Sequence, residues 1–120
     1  MVAGLSLQYI LGIINNLYVS FPNTKNEETL WRFAWSQVTI ALHIILGVGL
    51  IAVAVAIVIA AGKKTVKSWI LPAWFGFTSI VAAFIFGALF VDFQADVYSF
   101  LMAFFFITSI LSYVWGIYKS

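Results

Sequence analysis

Three stretches of this chain, Trp35 to Ala61, Ser68 to Val91 and Val97 to Tyr118, contain no Asp, Glu, Lys or Arg. At ~1.5 Å per residue, a helix of roughly 20 apolar residues matches the ~30 Å hydrocarbon core of a bilayer. Composition says whether water or lipid surrounds them. Hydrophobic residues make up 64% of the chain and charged residues 8%, against roughly 25% charged in a soluble domain. So few charges cannot clothe a 120-residue chain in water. The expectation is an all-α integral membrane protein, since a spanning segment must satisfy its own backbone hydrogen bonds.

Residues 3–20 form a weaker apolar segment, with Gln8, Asn15 and Asn16 in it. No basic residue precedes its apolar part and no small-x-small site follows, so it does not read as a cleaved leader. Its polar residues do not form one clean stripe, which argues against a helix lying flat in the interface. It reads as a short first spanning helix, ended by Phe21-Pro22-Asn23. Residues 22–33 are hydrophilic, and Asn26 or Thr24 is placed to cap a short helix running into Trp31. The expected fold is an antiparallel four-helix bundle in a single domain of residues 1–120, with helices over about 3–20, 35–61, 68–91 and 97–117. Gly62 would close the second helix as its C-cap. Pro72 would fall in the first turn of the third, and Asp96 would cap the fourth.

Charge placement predicts the orientation. Lys63, Lys64 and Lys67 form an all-positive cluster, which the positive-inside rule puts in the cytoplasm. Both termini then face inward. The inner groups, with Lys119, sum to +4; Lys25, Arg32, Glu27, Glu28, Asp92 and Asp96 on the outside sum to two minus four, or −2. The expected location is a prokaryotic plasma membrane with the Lys63–Lys67 loop cytoplasmic. The partners expected are the lipid bilayer and other membrane subunits or further copies of the chain, and no nucleic acid.

Ala52, Ala56 and Ala60 recur every four residues, as do Ala83 and Gly87. Such small-residue seams pack helices closely in lipid. They would join the second and third helices within the chain or form an oligomer seam. Phenylalanine is dense in the last two helices, where lipid contact or bundle filling explains it.

Polar residues inside the bilayer demand partners. His43, the single histidine, and Met102 fall at similar depths on different helices, with Asn15, Asn16, Gln37, Thr39 and Ser99 in the same outer half. Histidine and methionine are both axial ligands of haem iron. The stretch Thr39 to Gly47 resembles the haem-bearing helices of membrane cytochromes, in which a histidine is followed within a turn by glycine. The matched depths make a haem b between the second and fourth helices possible, with His43 as the metal ligand and Met102, Asn15 and Gln37 as the other candidate binding residues; the resemblance itself covers only the nine residues around His43. A quinone held by His43 is the related expectation. The structural alternative is a histidine bonded to Asn15, Asn16 or a helix carbonyl.

Other chemistry is excluded by what the residues lack. With no cysteine there is no disulfide, thiolate metal site or thiol nucleophile. Asp92 and Asp96 offer too few oxygens for a divalent cation. The first helix has none of the embedded carboxylate that small multidrug transporters use. Dual-topology fluoride channels do not carry so strong a lysine bias. No nucleotide loop, zincin motif or nucleophile elbow occurs. The reading is therefore a non-catalytic accessory subunit of a membrane complex, with a haem- or quinone-binding electron-transfer protein and a passive pore as the alternatives.

Overall fold

The computed structural model describes residues 1–63 and 67–120. It contains five helices: α1 (Val2–Tyr18), α2 (Glu27–Ser36), α3 (Val38–Lys63), α4 (Lys67–Phe93) and α5 (Asp96–Lys119). No strand occurs among the described residues. Lys64, Thr65 and Val66 of the expected cytoplasmic loop lie outside them. The molecule is a rod of 50 × 21 × 21 Å. Helices α3, α4 and α5 are long and apolar enough to cross a membrane, and only 22% to 28% of the residues in their most apolar stretches are buried within the protein. The large apolar side chains left outside, from Leu42 and Ile45 to Phe100 and Leu111, would be insoluble in water and suit lipid.

The expected helix over 35–61 is divided. Asn26 caps α2 by accepting a bond from the Thr29 amide at 3.2 Å, and the helix runs through Trp31 and Trp35 to Ser36. Gln37 is extended (φ −88°, ψ 118°), and the apolar span begins at Val38. The Ser36 hydroxyl donates to the Phe33 carbonyl at 2.6 Å, a local bond that competes with the helical ladder. Trp35 therefore ends a short surface helix instead of opening a span. Three further details differ. Gly62 lies inside α3, which continues to Lys63. Pro72 is the sixth residue of α4, not part of its first turn, because that helix already starts at Lys67. The N-cap of α5 is Ala95, with Asp96 as its first helical residue, where a carboxylate still complements the positive helix end.

The core follows a heptad-like rhythm. On α3 the inward positions include Ile40, Gly47, Leu50 and Ala54; on α5 they are Phe106, Ser109, Ser112, Tyr113 and Gly116. Helices α4 and α5 form the most extensive pairing. Their contacts occur in reverse order: Trp69 lies on Gly116, Gly76 under the Tyr113 ring, and Gly87 against Met102. A turn at Gln94, with φ 53°, joins them. The Gln94 side-chain amide closes the end of α4 by donating to the Phe90 and Val91 carbonyls, each at 3.0 Å.

The small-residue seams divide between inside and outside. Ala83 is 1% exposed and Gly87 meets Met102 of its own chain, so that seam packs the bundle itself and is not available to a partner. Ala52, Ala56 and Ala60 point outward, and the seam α3 turns inward is the Gly47–Leu50–Ala54 face. The Ala52–Ala56–Ala60 face is therefore not the α3–α4 contact.

A β-carbon at Gly76 would stand 2.5 Å from the Tyr113 ring, and one at Gly116 2.6 Å from Trp69, whereas Gly49 faces nothing within 4 Å. Gly76→Ala and Gly116→Ala are each expected to destabilise the protein by about 1–3 kcal/mol through overpacking. Gly49→Ala is expected to be neutral or to stabilise, because alanine is the better helix former. Unfolding titrations in mixed micelles check the three variants.

Candidate functional site

The site starts with the short first helix. Spacings of four, four and three put Gly4, Gln8, Gly12 and Asn15 on one face of α1, and that face lies on α3. Gly4 meets Leu50, Gln8 meets Gly47, and Gly12 meets His43. Thus α1 runs against the direction of α3 and accompanies about half of it. Gln8, 3% exposed, donates its amide to the His43 carbonyl at 2.7 Å. Asn15 donates to the Thr39 carbonyl, one turn along, at 3.4 Å. A backbone carbonyl only accepts, so both side chains must turn their NH₂ groups toward α3. The amide oxygens, Gln8 Oε1 and Asn15 Oδ1, are then left buried with no partner among the described residues, and His43 Nδ1 is in the same condition.

These residues border a cavity of about 240 Å³ enclosed by α1, α3, α4 and the start of α5. Its polar lining includes Gln8, Asn15, Asn16, His43, Gln94 and Ser99; its apolar walls come from side chains such as Ile44, Ile80, Phe84 and Phe106. A second cavity of about 240 Å³ adjoins it on the α1–α5 side and shares His43, Gln8 and Met102 with the first. The His43 ring lies directly on the α1 backbone: a β-carbon at Gly12 would stand 3.3 Å from its Cε1. Glycine at position 12 is what admits the imidazole there.

The structure brings His43, Met102 and Asn15 to one cavity. Gln37 is not brought there: it sits at the α2–α3 junction, where its backbone amide bonds the Phe33 and Ala34 carbonyls and its side chain reaches Ser36 at 3.5 Å. His43 begins five residues after Val38, about 8 Å along α3 at helical rise, which keeps it level with Met102. The imidazole does not bond Asn15 or Asn16, and the helix group it faces is the backbone of Gln8; the His43 backbone carbonyl is the group the Gln8 side chain engages. The site residue not anticipated is Gln8. Its seven-residue spacing from Asn15 was the available signal, since two helical turns return nearly to the same face.

Each cavity taken alone is smaller than the roughly 300 to 1,000 Å³ of small-molecule sites, and the Met102 sulfur is packed toward α4, 3.0 Å from where a Gly87 β-carbon would be. A single ring suits either one, because a cavity of roughly 150 Å³ is known to admit benzene.

The first cavity extends to the acidic end of the rod. Trp31 of α2 lines it and donates its indole N–H to Asp92 Oδ1 at 2.6 Å. Asp92 stands in the last turn of α4, near the negative end of the helix dipole, where a carboxylate needs a donor. Phe21, also in the lining, packs on Phe33 and Phe90 with ring centroids 5.2 and 6.0 Å apart. Together these contacts hold α2 against the end of α4. Removing the donor while keeping an aromatic ring, in Trp31→Phe, should lose about 1.5–3 kcal/mol, the range for hydrogen bonds to charged groups. Hydrogen exchange is expected to quicken by about tenfold or more across α2 and to stay unchanged in the α4–α5 seam. No known family model, curated protein or solved structure matches this chain.

Proposed function

We propose that the chain is a non-catalytic integral membrane protein that holds a small, mainly apolar molecule in the His43 cavity. The observation that carries this reading is the cavity itself, a ring-sized apolar space lined on one side by Gln8, Asn15 and His43. Isolated polar groups in lipid-embedded helices mark functional paths and sites. The bundle is read as antiparallel, with α1 filling one half beside α3 while α3, α4 and α5 span. The acidic end, with Glu27, Glu28, Asp92 and Asp96, faces outward and the lysine end faces the cytoplasm. The direction of α1, opposite to α3, points its N-terminus away from the acidic end, although it stops beside Leu50, midway along α3; the descent of α5 toward Lys119 supports the C-in sense. On this reading the cavity opens toward the outer leaflet, behind α2.

A role as a subunit of a larger assembly is supported by a separate observation. Gly49, Ala52, Ala56 and Ala60 form an outward strip of small residues on α3, and Gly49 meets nothing within 4 Å. In lipid, such a strip lets another helix approach closely.

Ala88 lines the cavity, and Ala88→Phe would fill it. Organic extracts of wild-type protein purified in nanodiscs are expected to yield one apolar compound at about equimolar amount by mass spectrometry. The Ala88→Phe protein, with unchanged helical content by circular dichroism, is expected to lose it. Equal recovery from both proteins contradicts the reading.

A further inference from the structure

The half of the bundle nearer the lysine end lacks α1. In the other half α1 packs on both α3 and α5, while α3 and α5 make no contact with each other among the described residues. Gly4 meets Leu50, and Ala103 of α5 borders the second cavity together with α1. Leu50 is 13 residues before Lys63, about 20 Å at helical rise. Met1, Val2 and Ala3 carry the chain about 4 Å further along α3, so α3 and α5 run on for about 15 Å with no α1 between them. The faces that hold α1 continue there. Ile57 follows Leu50 by seven residues, and Ile110 and Ile117 follow Ala103 at sevens, two turns that return nearly to the same face. Ile57, Ile110 and Trp69 pack on the core yet stay only partly buried, and Ile117 is 57% exposed. An apolar groove thus lies between α3 and α5, floored by α4.

The groove ends in positive charge. Lys63 closes α3, Lys67 opens α4 and Lys119 closes α5. All three are exposed, and none is in an ion pair among the described residues. Lys119 Nζ stands 4.9 Å over the Trp115 ring, an indole suited to the membrane interface. Glu27, Glu28, Asp92 and Asp96, the chain's four acidic side chains, belong to the opposite end. We propose that the groove binds one anionic phospholipid from the leaflet at the lysine end. An acyl chain lies along Ile57 and Ile110, and Lys63, Lys67 and Lys119 meet the phosphate. Length favours a lipid over a partner helix: about 15 Å is half of the ~30 Å hydrocarbon core, the depth of one leaflet, and a helix spanning the whole core along this groove would collide with α1. Charge selects among lipids, because a zwitterionic head group offers the lysines no net charge to neutralise. The site lies apart from the end of the His43 cavity lined by Trp31 and rests on the membrane reading alone.

Native mass spectrometry from detergent micelles tests the site, with phosphatidylglycerol and phosphatidylcholine of identical acyl chains titrated in turn. One phosphatidylglycerol per chain is expected to bind about tenfold or more tightly than phosphatidylcholine, the consequence of the lysine cluster. In Lys67→Gln with Lys119→Gln the ratio is expected to fall toward one, while Lys25→Gln, at the opposite end, leaves it unchanged. Ile57→Trp fills the groove and keeps every lysine, and is expected to lose the bound lipid. On unaltered protein, phosphatidylglycerol carrying a diazirine in the middle of its acyl chain is expected to crosslink to the peptides that contain Ile57 and Ile110. Equal affinities of the two lipids for wild type overturn the proposal. Crosslinks spread over the outer faces of the helices overturn it too, since they mark lysines that gather lipid without a groove. A lipid-free dimer of the wild-type chain puts a second copy in the groove and has the same consequence. The crosslinks on unaltered protein decide the matter even if a variant does not fold.

Discussion

Hydrocarbon offers no hydrogen bonds, and that constraint organises the molecule. A polar side chain on a lipid-embedded helix must find its partner within the protein, on its own helix, as Thr78 and Thr108 do, or on a neighbouring one. Gln8 and Asn15 do so by donating to the carbonyls of His43 and Thr39, successive positions along one edge of α3. These two bonds fix the rotation of α1 and its register on α3. Gly12, between them, leaves room for the imidazole. Across the bundle, α4 and α5 meet by ring-on-glycine packing at Gly76 and Gly116, with Ser109 donating to the Gly76 carbonyl at 3.2 Å.

The candidate site is a by-product of the same constraint. An amide that satisfies α3 with its nitrogen leaves its oxygen behind, and the helix that supplies two such amides covers only half of α3. Gln8 thus both docks α1 on α3 and borders the cavity. The acidic end completes the arrangement. There the Trp31–Asp92 bond ties α2 to the end of α4, and Phe21 packs on Phe33 and Phe90 beside the cavity.

Much of this was legible in the residues. Charge-free runs located α3, α4 and α5 to within a few residues, because a charge inside a span is costly. Asn26 signalled the start of α2, and the matched depths of His43 and Met102 anticipated that they share a cavity. The break at Gln37 was not legible, because Trp35 to Ala61 reads as one charge-free run and the helix is interrupted by local bonds of Ser36 and Gln37. Nor could spacing alone say which way Ala52, Ala56 and Ala60 face, since small residues serve inner and outer seams alike. The Trp31–Asp92 bond joins positions 61 apart and depends on how α2 folds back over α4. The importance of Gln8 depended on reading 8, 12 and 15 as one face, with the middle position defined by a missing side chain.

The central claim is that a bilayer separates the acidic end of the rod from its lysine end. The absence of cysteine makes every engineered thiol unique, so Glu28→Cys on α2 and Lys119→Cys on α5 are direct reporters. In intact cells a membrane-impermeant maleimide is expected to label Glu28→Cys and to spare Lys119→Cys until the membrane is permeabilised. Labelling of both positions in intact cells, or protection of both, would contradict a chain whose two charged ends lie on opposite faces of the membrane.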